Sequence, residues 1–217
     1  MEKTVKKLLI IGASSGIGLW TVQKALKQGY AVRAFSRHAE KMRIRHDRLD
    51  KVNGNALDAG NVATALKGCD AVIQTLGVAL NLKMLTGPVT LFSEATKVLV
   101  PAMAEASVNR LIAVTGYGAG ESKHYMPLWE RPGFNMVFGR AYGDKDKQED
   151  IIKASQLDWT IVRPVVLVDA FGSGGYKEFT DPKQFRNGII SRADVAHFIT
   201  KEIGGESYVR EGVVLRR

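Results

Sequence analysis

Cysteine is all but missing from this sequence. Cys69 is the single copy in 217 residues, which excludes an intrachain disulfide framework and a cysteine-built zinc cluster. It reads as a small, partly buried residue ahead of a strand. Long apolar runs are missing as well. No stretch approaches the roughly 18 unbroken apolar residues of a membrane span. Met1 to Lys7 carry neither the apolar core nor the small-residue cleavage site of a signal peptide. The expectation is a cytoplasmic protein with no membrane partner. Repeats, low-complexity tracts and linker-like segments are absent too. With 45% hydrophobic and 24% charged residues, the chain suits one well-buried α/β domain and is short for two.

Acidic residues are in deficit, 22 against 31 Lys and Arg, for a net charge of +9. That balance draws anionic ligands, whether phosphorylated small molecules, nucleic acid or membrane surfaces. The charge is scattered except for Arg37, Lys41, Arg43, Arg45 and Arg48, with His38 and His46 among them and Glu40 and Asp47 as a partial offset.

Short apolar runs alternate with longer helical stretches. Strands are expected at residues 5–11, 30–35, 49–55, 71–76, 111–115, 159–163 (stopped by Pro164) and 208–215. Helices are expected over 16–27 (ended by Gly29), 62–66, 89–106, 140–155 and 192–203 (capped by Ser191). Residues 116–139 read as a long irregular loop whose Tyr117, Tyr125, Trp129 and Phe134 could stack on a flat ligand. The alternation predicts an α/β, doubly wound parallel sheet of Rossmann type with helices on both faces. A single domain would span residues 1–217, with a small substrate-side region at about 164–191.

The chemistry begins at Gly12-Ala13-Ser14-Ser15-Gly16-Ile17-Gly18, which leaves the first strand and opens the first helix. Gly12 permits a sharp turn, Gly16 lets a pyrophosphate approach the backbone, and Gly18 lets the helix pack on the sheet. The helix N-terminus adds free N–H groups and partial positive charge. Strand before and helix after make this a dinucleotide-binding turn. At the end of the second strand, an acidic residue would bond a ribose 2′-hydroxyl and repel a 2′-phosphate. Ser36 and Arg37 stand there instead. Arg37 offers a fork of donors to a phosphate, so the predicted cofactor is NADP, with NADPH preferred over NADH.

On these residues the chain resembles the short-chain dehydrogenase/reductase superfamily. It is most similar to its atypical branch of NmrA-like, flavin/biliverdin-reductase-like and isoflavone-reductase-like proteins. The resemblance also rests on Gly54 to Asp58, Thr75-Leu76-Gly77, Leu157 to Pro164 and Ser191 to Ala196. It implies adenine contacts from Asn55 and Ala56, although the family usually has Asp at the Asn55 position. It implies a loop under the cofactor at Thr75, Leu76 and Gly77, a contact at Thr115, and a backbone stretch beside the nicotinamide at Pro164, Val165 and Val166. Arg192 and Asp194 resemble a structural pair that fixes the late helix. Against the flavin/biliverdin reductases, the catalytic serine position holds Gly116 and the histidine position Val166, which counts against biliverdin-type chemistry.

The superfamily's usual acid is a tyrosine with a lysine four residues later. Here none of the 6 tyrosines has a lysine at that spacing. The nearest substitute is Tyr142 with Lys145, three residues apart and so on one helix face. Lys145 aligns with a functional lysine of the isoflavone-reductase-like enzymes. It could act as acid or base directly, or lower the Tyr142 pKa. Against this, Lys145 and Lys147 sit among Asp144, Asp146 and Glu149, as exposed helix charges do. No metal ligand set is expected. The reading is an NADP(H)-dependent oxidoreductase acting on a small, planar acceptor such as a flavin or quinone, as a monomer or homodimer. The alternative is an NADP-binding redox sensor without turnover. Nucleic-acid binding through residues 37–48 is a weaker reading, and the chain is short for the substrate domain of a sugar-nucleotide epimerase.

Overall fold

The structure, a computed structural model, describes residues 6–78, 89–126 and 131–217, with only the backbone described at 131 and 133–138. Strand and helix alternate as β1 (Lys7–Ile11), α1 (Gly16–Lys27), β2 (Ala31–Ser36), β3 (Leu49–Asn53), α2 (Ala59–Leu66), β4 (Ala71–Gln74), α3 (Leu91–Glu105) and β5 (Arg110–Val114). There follow α4 (Arg131–Ala154), β6 (Asp158–Pro164), β7 (Val166–Val168), β8 (Lys177–Phe179), β9 (Ile189–Ser191), α5 (Arg192–Ile203) and β10 (Glu211–Arg216). The main sheet has eight strands in the order β3-β2-β1-β4-β5-β6-β10-β8. Its pairings are parallel except for β8, which runs antiparallel to β10 at the edge. This is the doubly wound Rossmann sheet that the alternation predicts.

The period of two along each strand sorts side chains into two cores. Leu8, Ile10, Ile73, Ile112 and Val114 face α1 and α5 with Val22, Leu26, Phe198 and Ile199. Leu9, Ile11, Val72, Leu111 and Ala113 face α2 and α3 with Val62, Leu66, Leu99 and Met103. Strands buried on both faces read as unbroken apolar runs. Each such side chain contributes about 1.5–3 kcal/mol by leaving water.

Helix α1 has the expected bounds, and Gly29 beyond it takes φ 99°. Helix α5 also has its expected bounds, with Ser191 Oγ accepting the Asp194 N–H at 2.9 Å. Three regions depart from expectation. Helix α4 begins at Arg131 rather than 140. Pro132 belongs to its first turn, where proline's missing N–H costs nothing, while Gly133, Gly139 and Gly143 weaken the helical signal in the sequence. Strand β6 stops at Pro164 as expected but includes it, in register with Leu215 of β10. Between residues 164 and 191 lie three strands of three residues each, and β7 and β9 pair in a small sheet of their own.

Helix α4 is held by polar bonds. Buried Asp144 accepts the Phe92 and Ser93 N–H groups at 2.8 and 3.3 Å, capping α3 from outside because Thr90 makes no side-chain cap. Gln148 Nε2 donates to Gln74 Oε1 of β4 at 2.9 Å. Glu149, 0% exposed, accepts Arg163 Nε and Nη2 at 3.0 and 2.7 Å and Thr115 Oγ1 at 2.8 Å. Arg163, also 0% exposed, sends its remaining terminal nitrogen to exposed Glu121 at 2.9 Å. An Arg163→Met chain would strand the Glu149 carboxylate. It is expected to lose about 3–5 kcal/mol in urea unfolding, whereas Glu121→Gln, at the exposed end of the network, should lose less than about 1 kcal/mol.

Candidate functional site

A cleft of about 980 Å³ runs along the carboxyl ends of the parallel strands, where ligands bind in open α/β sheets. Its floor is the turn after β1. Gly12 has φ 85°, and a Cβ on it would stand 2.6 Å from the Thr75 carbonyl oxygen. A Cβ on Gly18 would overlap the Gly12 carbonyl oxygen. These two glycines therefore serve close packing. Gly16, at φ 55°, is different, because a Cβ there would meet nothing nearer than Arg192 Nε at 4.0 Å. Its open side faces the cleft beside Ser14 and Ser15. Ser15 makes no side-chain cap to α1, whose first turn holds no acidic residue. The N–H groups and the positive end of the helix dipole are thus presented to a phosphate. Ile17 lines the cleft as well, whereas Ala13 and Gly18 lie behind it as buried packing.

At one end stand Ser36, Arg37, Asn55 and Ala56. Ser36 Oγ is buried and has no hydrogen-bond partner among the described residues, an expensive condition that a ligand phosphate or ribose would relieve. Arg37 is exposed at the end of β2. Asn55 Oδ1 already accepts the Leu57 N–H at 3.1 Å and keeps a lone pair for an adenine amino group. Of the basic cluster, Arg37 and His38 line the cleft, while Lys41, Arg43, Arg45, His46 and Arg48 are exposed elsewhere.

The other end is formed by Leu76, Gly77, Thr115, Pro164, Val165 and Val166, with Tyr142 and Lys145 from α4. Thr75 and Thr115 reach it with their backbones, since their hydroxyls bond Ile11 O at 2.9 Å and Glu149 at 2.8 Å. Lys145 is not one of the exposed charges of α4, although Lys147 is. The Lys145 ammonium donates to the Thr115 carbonyl and lies over the Tyr142 and Phe92 rings, 4.9 and 5.1 Å from their centroids. Burial lowers its pKa to about 8 against the opposing pull of Glu149. Burial also pushes the Tyr142 hydroxyl up to about 12. At Tyr142 burial outweighs any pull from the Lys145 charge on its ring face. The Tyr142 hydroxyl lies 2.5 Å from where a Cβ on Gly116 would stand.

Sequence reasoning missed Phe92, Met126, Asn187 and Arg192 as cleft residues. Arg192 does not pair with Asp194. Its Nη1 bonds Asp169 at 2.7 Å, while Asp194 accepts from Ser191 Oγ and the Gly174 N–H. Of the aromatic loop, Tyr117 lines the cleft and Tyr125 stands edge-on to Phe185 outside it. Trp129 and the Phe134 side chain lie outside the described residues. Among the described residues that line the cleft there is no Asp or Glu; its charged members are Arg37, Lys145 and Arg192, with His38. The open glycine, the unpartnered Ser36 hydroxyl and this charge balance fit a dinucleotide phosphate.

Residues 12–204 match the model of a family described as NAD(P)H-binding. The chain belongs to that family. It is 30% identical to "Uncharacterized sugar epimerase YhfK" of Bacillus subtilis, over 88% of this chain and 84% of that protein. It is also 30% identical to "Protein TIC 62, chloroplastic" of pea, Pisum sativum, over 89% of this chain but 38% of that protein. The chain thus spans well under half the length of the TIC 62 proteins it matches. Among solved structures, ChuY of Escherichia coli O157:H7, an anaerobilin reductase, superposes with a TM-score of 0.81 at 26% identity, over 97% of both chains. A short-chain dehydrogenase/reductase of Veillonella parvula in complex with NADP shares the fold, with a TM-score of 0.84 at 17% identity over 98% of this chain and 95% of that one. No described helix is long and apolar enough to cross a membrane.

The glycines make separable predictions. Gly18→Ala should lower unfolding stability by about 1–3 kcal/mol or more through overpacking. Gly16→Ala should cost only about 1–2 kcal/mol of backbone strain yet abolish NADP binding. Urea titration beside calorimetric titration with NADP+ separates the two outcomes.

Proposed function

We propose that this chain is an NADP(H)-dependent reductase of a flat, conjugated acceptor such as a flavin, a quinone or, with Lys145 and Tyr142 standing in for the serine and histidine that positions 116 and 166 lack, a linear tetrapyrrole. The observation that carries this reading is the placement of the Lys145 ammonium and the Tyr142 hydroxyl together at the apolar end of a dinucleotide cleft. The bound cofactor supplies a hydride, which is its own chemistry. The protein's part is to orient the acceptor, exclude water and deliver a proton. Lys145, with its pKa near 8, is matched to donating a proton close to neutrality. Tyr142, with a pKa of about 12, stays neutral and serves as a hydrogen-bond donor that orients the acceptor. Leu91, Phe92, Val165 and Val166 supply apolar wall, and ChuY, an anaerobilin reductase, gives a precedent for a planar substrate on this fold. Ser36 and Arg37 support NADP over NAD, because a dianionic 2′-phosphate gains charge-assisted bonds there.

The missing Tyr-x-x-x-Lys spacing favours a second reading, an NADP sensor without turnover. Length alone does not set aside an epimerase, since YhfK is of comparable length. An acceptor panel with NADPH decides among these. The reductase reading expects NADPH oxidation with at least one flavin, quinone or bilin. Tight NADP binding with no oxidation across the panel would overturn it in favour of the sensor.

Two further outcomes are expected. Lys145→Met should lower kcat about 100-fold or more. In the unmodified protein the rate should hold below pH 8 and fall as Lys145 loses its proton above it, and that limb should vanish in the variant. Tyr142→Phe should raise KM more than it lowers kcat. For Arg37→Ala, calorimetry should show NADPH binding weakened about ten-fold or more while NADH binding is unchanged.

A further inference from the structure

Arg192 is the first residue of α5, and the helix itself gives no reason for a cation there. The N-terminus of a helix carries partial positive charge and favours acidic side chains, a role that Asp194 already fills. The side chain is 28% exposed and lines the cleft. Beyond the glycine turn and its helix, its Nε is the atom nearest to the open side of Gly16, at 4.0 Å from the position a Cβ would take. Its Nη1 is tied to Asp169, 84% exposed on the segment after β7, at 2.7 Å. So exposed an ion pair adds little to folding stability. What it does is fix the guanidinium plane, with one edge on Asp169 and the Nε edge turned toward the glycine turn.

We infer that Arg192 is a diphosphate-binding residue, closing over the cofactor's pyrophosphate from the side opposite the α1 N-terminus, and that Asp169 is the positioning residue that aims it. The inference rests on NAD(P)H binding by this cleft and needs no turnover. It gives the diphosphate two donors of different kinds: backbone N–H groups of α1 beneath and a charged planar fork above. It also ties the cofactor to the region 164–191, because Asp169 lies between the small β7–β9 sheet and the glycines at 172, 174 and 175. Arg192 and Arg37 therefore read different phosphates of one ligand, at positions far apart in the chain.

The test is calorimetric titration of the intact chain with NADP+, NAD+ and adenosine 2′-monophosphate, a fragment with the 2′-phosphate and no diphosphate. Arg192→Ala is expected to weaken NADP+ and NAD+ alike, about ten-fold to a hundred-fold, and to leave the fragment unchanged. Arg37→Ala should give the complementary pattern, weakening NADP+ and the fragment and sparing NAD+. Asp169→Ala should weaken NADP+ and NAD+ several-fold, with no loss for the fragment and an unchanged melting temperature. Arg192→Lys, which keeps the charge and loses the fork, should restore only part of the affinity. Dinucleotide binding by Arg192→Ala equal to that of the unmodified protein would overturn the inference while leaving the cleft's cofactor reading intact. An equal loss for the fragment would overturn it too, by showing general damage to the cleft. Failure of the unmodified protein to bind any of the three would overturn both.

Discussion

Two fully buried side chains, Glu149 on α4 and Arg163 on β6, hold the rest of the site in place. Their paired bonds, at 3.0 and 2.7 Å, fasten a helix whose sequence is too polar to be held by apolar contact alone. Taking both charges out of water is costly. The arrangement is tolerable because every lone pair that matters is engaged, by the guanidinium and by the Thr115 hydroxyl. With Glu149 fixed, Lys145 one turn earlier must lie against the sheet end, over Phe92 and beneath the Thr115 carbonyl. With Asp144 also fixed, α3 acquires the cap its own Thr90 does not provide. One ion pair thus sets the seat of Lys145 and the start of a neighbouring helix.

The two ends of the cleft are built on different principles. The phosphate end is made from backbone: glycines that permit contact, helix N–H groups and a dipole. Such parts are rigid because the sheet is rigid. The end proposed to react is made from side chains on a helix that the sheet grips by polar bonds. Its properties depend on burial. The low dielectric that brings the Lys145 pKa down to about 8 also keeps Tyr142 protonated at ordinary pH. The same surroundings move the pKa values of two neighbouring side chains in opposite directions.

Legibility from sequence follows this division. The glycine turn was readable from its spacing between a strand and a helix, and the limits of α1 and α5 were readable from Gly29 and from Ser191 with Asp194 three residues on. The parallel, helix-covered sheet followed from apolar runs separated by helices, whereas its strand order came only from the fold. The start of α4 was not readable, because Gly133, Gly139 and Gly143 argue against a helix that tertiary bonds enforce. Nor was the burial of Lys145, since a segment dense in charge reads as a solvated face. Its partners, Thr115 and Phe92, are distant in sequence. The ligand of Arg192 was misread for the same reason. Asp194 is near in sequence and Asp169 is near in space. Strands of three residues between 164 and 191 leave too few positions for a period of two to show.

The contact between Tyr142 and Gly116 limits how such a cleft can vary. The phenol oxygen occupies the volume that a side chain at position 116 would need, 2.5 Å from its Cβ. The two positions therefore compete for one volume: a hydroxyl reaches it either from the loop after β5 or, with glycine on the loop, from α4. Within proteins built on this cleft, residues 116 and 142 should exchange as a pair. A chain carrying bulk at both would have to turn the Tyr142 side chain out of this place in the cleft.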